Sequence, residues 1–139
     1  MKRFVLDASV ALAWVADPVM DRYAGQVEQE IASGAHALVP TLWPLEVANG
    51  LLTAERRKAL TSAETDQGLI DMERFLASHG EVDGTAPDIR QIADVARTYQ
   101  LTAYDAVYLE LARREGLPLA TLDNRLKAAA EKAGVELLR

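Results

Sequence analysis

Apolar and polar positions along this chain switch between two periods, and each switch marks an element. Phe4, Val5 and Leu6 form a short continuous apolar run, too short for a helix, so Arg3 to Leu6 reads as a buried strand. From Ala8 the pattern turns helical and holds to about Ala16. Asp17-Pro18 ends it, because the residue before a proline disfavours helical geometry. A second helix opens near Asp21, carries Tyr23, Val27 and Ile31 on one face, and ends at Gly34. His36 to Val39 is a second strand. A third helix follows Thr41 and runs to about Lys58, with Pro44 tolerated in its first turn. Thr61 and Glu64 have capping-box spacing and open a fourth helix, striped by Leu69, Met72 and Leu76.

Glu81 to Asp83 reads as a short strand, and Pro87 starts a fifth helix with Ile89, Ile92, Ala93, Ala96 and Tyr99 on one face. Ala103 to Glu115 is apolar nearly all round, the pattern of a buried helix. Gly116 caps it and Pro118 prevents its continuing. Leu119 to Leu122 is a strand, a seventh helix begins at Asp123 and stops at Gly134, and Val135 to Leu138 is the last strand. Strands alternating with helices predict the α/β class, with a central parallel sheet of four to five strands covered on both faces.

Composition narrows this further. The 139 residues suit one domain, 1–139, with its own core. Half the residues are hydrophobic, so the chain is globular. There is no cysteine, which excludes disulfides and thiolate metal sites and fits a reducing compartment. Asp7 interrupts the apolar start, and no stretch is long enough to span a bilayer, so a cytoplasmic protein with no membrane partner is expected. The net charge of −6 counts against a large nucleic-acid footprint. It does not count against a nuclease centre, which is acidic until a cation fills it.

Four acids carry the candidate chemistry. Asp7 and Asp123 each follow a strand, at the carboxyl edge where open α/β sheets bind ligands. Asp105 lies in the first turn of the buried helix, and Glu46 lies early in the helix after the second strand. Each has a plainer reading. Asp7 and Asp123 are good N-caps, and Asp105 falls three residues after Thr102, as in a capping box. Glu46 resists such a reading: no lysine or arginine lies three or four residues away, and Asn49 could bond it but not neutralise it. If the four meet, they repel one another and call for a cation. An all-oxygen set suits Mg²⁺ or Mn²⁺ and makes a poor zinc site. Such ions can activate a water and neutralise charge on a phosphate under attack. Ser9 and Thr121, two residues from Asp7 and Asp123, are supporting candidates, with local backbone bonding as their plainer role.

These segments together resemble a known family. FVLDAS with Asp7 and Ser9, LEVANGL with Glu46 and Asn49, LTAYDAVYLELA with Asp105, and ATLDNRL with Thr121 and Asp123 match the PIN-domain ribonucleases. In size and layout the chain resembles the VapC toxins of bacterial toxin–antitoxin pairs. The resemblance implies a three-layer α/β/α sandwich and a Mg²⁺- or Mn²⁺-dependent endoribonuclease with Asp7, Glu46, Asp105 and Asp123 as metal-holding and catalytic residues. It also implies a homodimer, and a VapB-type antitoxin that lays a tail across the site. The apolar residues Leu12, Trp14, Val15, Leu51, Leu52 and Met72 are expected to be mostly core, with some left to form a groove for that tail. Arg56, Arg57 and Lys58 and the pair Arg113 and Arg114 close helices, where the dipole favours cations; Arg22 and Arg125 are further candidates for steering RNA. The rival reading is a non-catalytic module that binds RNA or a protein through the same fold. The intact acid set argues against it. A phosphatase would want an acid where Ser9 stands, and a receiver domain a late strand-end lysine.

Overall fold

The computed structural model describes residues 2–139. Four strands, β1 (Arg3–Leu6), β2 (His36–Pro40), β3 (Gly80–Asp83) and β4 (Leu119–Ala120), form one parallel sheet in the order β3-β2-β1-β4. Seven helices complete the described chain: α1 (Ala8–Ala16), α2 (Arg22–Ala32), α3 (Leu42–Arg56), α4 (Ser62–His79), α5 (Ile89–Tyr99), α6 (Ala103–Glu115) and α7 (Asn124–Ala133). Phe4, Val5 and Leu6 are fully buried, as a central parallel strand covered on both faces requires.

The order of the strands matters more than their number. From β1 the chain builds outward to β2 and β3 on one side, then returns to lay β4 on the other. The sheet therefore reverses direction between β1 and β4. At such a switch point the connections leaving neighbouring strands diverge and open a crevice at the carboxyl edge. Asp7 leaves β1 there, and Thr121 to Asp123 leave β4 beside it. The N–H of Asp7 donates to the Ala120 carbonyl at 2.9 Å, so the two exits are pinned in register.

Three elements depart from the sequence reading. The predicted strand at Leu119 to Leu122 pairs only over Leu119–Ala120, because Thr121 and Asp123 turn their polar groups toward the site. The predicted strand at Val135 to Leu138 reduces to a single parallel bridge, Leu119 with Leu137. The fifth helix begins at Ile89 with Asp88 as its cap, two residues beyond Pro87. Gly50 explains how α1 and α3 approach so closely. A Cβ there would lie 2.5 Å from the Leu12 side chain. The close approach brings the helix that starts at Asp7 against the one that carries Glu46.

Most of the apolar surface of Leu12, Trp14, Val15, Leu51, Leu52 and Met72 is core, as expected. Leu51 and Met72 are buried, and Leu12, Trp14 and Val15 pack partly buried against it. Trp14 meets Phe75 edge-on at 5.3 Å, and its indole N–H donates to the Ala24 carbonyl. Of the six, Leu52 alone stays exposed, at 39 %.

Candidate functional site

Asp7 is the best-held of the four acids. It stands at the N-cap position of α1 but accepts no capping hydrogen bond, so the plain reading of its role does not describe it. Instead its Oδ2 accepts two hydroxyls, Ser9 Oγ at 2.7 Å and Thr121 Oγ1 at 2.6 Å. Each hydroxyl is fixed in turn by a backbone N–H: Leu122 donates to Ser9 and Asp123 donates to Thr121, both at 3.0 Å. The two supporting residues are therefore occupied in orienting a buried carboxylate, and they tie β1 to the exit of β4. Burial pushes the Asp7 carboxyl up from its ordinary range, the two hydroxyls pull it back, and the charge of Asp123 raises it again.

Asp123 does cap a helix. Its Oδ1 accepts the N–H of Leu126 at 3.0 Å. That plain reading holds, and it leaves the other oxygen of the same carboxylate uncommitted. Asp105 behaves differently. Thr102 caps α6 by accepting the Asp105 N–H at 3.1 Å, but the returning bond of a capping box is not made. The Asp105 carboxyl is raised by burial first, then by the charges of Asp123 and Asp7, and lowered by Thr102 and Arg125.

Glu46 finds a partner that local spacing could not reveal. The Tyr108 hydroxyl, from α6, donates to its Oε1 at 2.5 Å. Asn49, whose spacing allowed a bond to Glu46, is exposed, and among the described residues its side chain makes no hydrogen bond to Glu46. Burial raises the Glu46 carboxyl, the Tyr108 bond lowers it, and the charges of Asp7 and Asp105 raise it. One signal did point to Tyr108. It lies one turn after Asp105 on the same face of a helix read as buried, and a buried tyrosine hydroxyl needs a partner.

The four acids thus come from four elements and sense one another. Asp7 is raised by Asp123, Glu46 by Asp7 and Asp105, and Asp105 by Asp123 and Asp7. Among the described residues no three such side chains are already drawn into ligating geometry. A hard cation that keeps several of its waters does not need three carboxylates in direct contact. The donor set, carboxylate and hydroxyl oxygens with no histidine or cysteine in it, fits Mg²⁺ or Mn²⁺. Both histidines lie elsewhere, His36 in β2 and His79 at the end of α4 beside Phe75. A cavity of about 520 Å³ lies away from the acids, lined by Lys2, Pro118 and Arg139 among others. Arg114, one of the cations considered for RNA, is spent on Asp83 at 2.8 Å and Glu110 at 2.9 Å.

Known proteins are similar to this chain in sequence and fold. A family model described as PIN domain matches residues 4–132. Ribonuclease VapC9 from Mycobacterium tuberculosis is 34% identical over 122 residues, covering 88% of this chain and 87% of that protein. Ribonuclease VapC3 from Pyrobaculum aerophilum is 29% identical over 124 residues, covering 89% and 92%. The fold is similar to VapBC2 from Rickettsia felis, crystallised with a DNA fragment from their promoter. There the TM-score is 0.67 at 13% identity, over 98% of this chain and 97% of that one. A Pyrobaculum aerophilum crystal structure matches with a TM-score of 0.68 at 24% identity, over 92% and 84%.

Proposed function

The chain belongs to the PIN domain family and is a ribonuclease of the VapC kind, and we propose that it cuts RNA internally with Mg²⁺ or Mn²⁺ held by Asp7, Glu46, Asp105 and Asp123. The observation that carries the assignment of residues is the electrostatic pressure on three of the acids, Asp7, Glu46 and Asp105, raised by burial and by neighbouring acids, Asp123 among them. Such desolvated carboxylates are costly unless a cation offsets them. A divalent ion there would neutralise charge building on the phosphate and lower the pKa of a water.

The chain's own residues supply the rest. Ser9 and Thr121 fix one oxygen of Asp7, so the central carboxylate keeps a single orientation. Asp123 holds one oxygen in its cap and offers the other. Asp105 is kept from completing its own cap and stays available. Arg125, whose charge reaches Asp105, is the basic side chain this reading assigns to a phosphate of the substrate. The same reading includes a VapB-type antitoxin as partner and a homodimer in the cytoplasm. No helix among the described residues is long and apolar enough to cross a membrane. Leu45, 71 % exposed, and Leu52 lie seven positions apart on one stripe of α3, as an apolar contact with a second chain would use.

The test is cleavage of a panel of structured RNAs by antitoxin-free protein, with Mg²⁺ or Mn²⁺ and with EDTA, beside Asp105→Asn. Metal-dependent cutting that disappears in the variant is expected. Cutting that survives the substitution would remove Asp105 from the centre. Binding of RNA without cutting, by the metal-loaded protein, would favour the non-catalytic reading.

A further inference from the structure

Tyr108 is fully buried on α6, and its hydroxyl reaches across to a carboxylate on α3. A buried tyrosine needs one acceptor for its O–H, and a backbone carbonyl is enough. Tyr23 shows that choice in this same protein: its hydroxyl donates to the Leu138 carbonyl at 2.7 Å. Tyr108 instead spends its donor on Glu46, an acid with no ion pair among the described residues. Asp105 and Tyr108 stand three positions apart on one face of α6. A single helix therefore delivers one acid of the site and the group that grips another. Glu46 is the longest of the four acid side chains, with the most rotamers to lose, and the Tyr108 hydroxyl is the hydrogen bond that ties it to α6.

We propose that Tyr108 is a positioning residue of the metal centre: its hydroxyl holds the Glu46 carboxylate within the group formed with Asp7 and Asp105, so that α6 sets the acid of α3. The phenol suits this work because it donates a hydrogen bond without bringing a charge, and an ordinary phenol, with a pKa of about 10, is protonated near neutral pH. Groups that hydrogen-bond metal-ligating side chains tune affinity by orienting them, typically by about 10–100-fold. The inference rests on the reading that these acids hold the ion.

Direct titration of metal-free protein with Mn²⁺ by calorimetry separates the two. Tyr108→Phe keeps the ring and its packing and removes only the hydroxyl. It is expected to weaken Mn²⁺ binding by about 10–100-fold, with cleavage recovering toward the wild-type rate as Mn²⁺ is raised. Tyr23→Phe is expected to leave binding unchanged. In a Glu46→Gln background the loss from Tyr108→Phe should largely vanish, because the residue acts through that carboxylate. Wild-type affinity in Tyr108→Phe, or an equal loss in both backgrounds, would overturn the proposal. Wild-type protein that takes up no Mn²⁺ would instead overturn the ligand assignment beneath it. Should the phenylalanine variant fail to fold, Glu46→Asp keeps the charge and withdraws it from the hydroxyl. It is expected to weaken binding on the same scale, and undiminished affinity there would also overturn the proposal.

Discussion

Helices α4 and α6 both begin with a threonine followed three residues later by an acid, and they use the acid in opposite ways. At α4 the pattern closes. Glu64 N–H donates to Thr61 Oγ1 at 3.1 Å, and Thr61 N–H donates back to Glu64 Oε1 at 2.9 Å. Those bonds hold the Glu64 carboxyl below its ordinary range. At α6 only the first arm forms, and the Asp105 carboxyl is pushed up by burial and by Asp123 and Asp7. One local signature thus yields a contented carboxylate on the surface and a strained one at the sheet's carboxyl edge. The shorter aspartate explains part of this, since it reaches back less easily than glutamate. Its neighbours explain the rest. Glu64 is stabilised by what is near it in sequence, and Asp105 is destabilised by what is near it in space.

Activity should separate the two most strongly. Asp105→Asn is expected to lower the rate of RNA cleavage by about a hundredfold or more, the scale of losing one electrostatic stabiliser of a transition state. Glu64→Gln should cleave at the wild-type rate. Equal losses in the two variants, in single-turnover cleavage at saturating metal, would erase the distinction.

The hydroxyls behind Asp7 extend the contrast to stability. Thr121→Val keeps the shape and leaves a buried carboxylate short of a donor. It should cost about 1.5–3 kcal/mol in urea unfolding, because Asp7 is only 6 % exposed and has no water to replace the bond. A cost within a few tenths would mean that Asp7 turns to another donor. The two capping threonines come next in size. Thr61→Ala and Thr102→Ala should each cost about 1 kcal/mol for the lost cap. Only the second is expected to reduce cleavage as well, since only its helix carries a site acid in the capped turn.

The fold was largely readable because it is written in short-range pattern. The bounds of β1 and α1 followed from an apolar run, an aspartate and Asp17-Pro18. The two weak strands were misjudged for a physical reason: Leu119 to Leu122 and Val135 to Leu138 have strand-like apolar residues, but pairing depends on what lies alongside. Long-range partners were invisible for the same cause. Nothing near Glu46 in the sequence names Tyr108, 62 positions on. Asp7 and Thr121 are 114 positions apart and became partners only when β1 and β4 paired. Among the candidate acids Glu46 stood out because a carboxylate beside apolar neighbours, with no lysine or arginine three or four residues away, is costly, whereas Asp7, Asp105 and Asp123 each had a capping reading.

The smallest effect bears most directly on the comparison, because it reads the two carboxylates without RNA or metal. Asp7, Glu46 and Asp105 have raised pKa values in the folded chain, so folding favours their protonated forms. The stability they allow is full below the ordinary carboxylate range and is lost as the pH rises through their folded values. Glu64 is lowered, so its contribution runs the other way: present above its unfolded value and lost as the pH falls. In EDTA the melting temperature should therefore decline as the pH is raised from the carboxylate range toward neutrality. Asp105→Asn should flatten that decline and raise the metal-free melting temperature by a few degrees at most, since the half-buried group is screened by solvent. Glu64→Gln should leave the slope intact and lower the melting temperature slightly. Adding Mg²⁺ should remove the difference in slope, because the cation does for the ionised acids what protons do at lower pH. A melting temperature that falls in Asp105→Asn without metal would mean that the Asp105 carboxylate supports its helix after all, and the two helix starts would then differ in length of side chain and in nothing else.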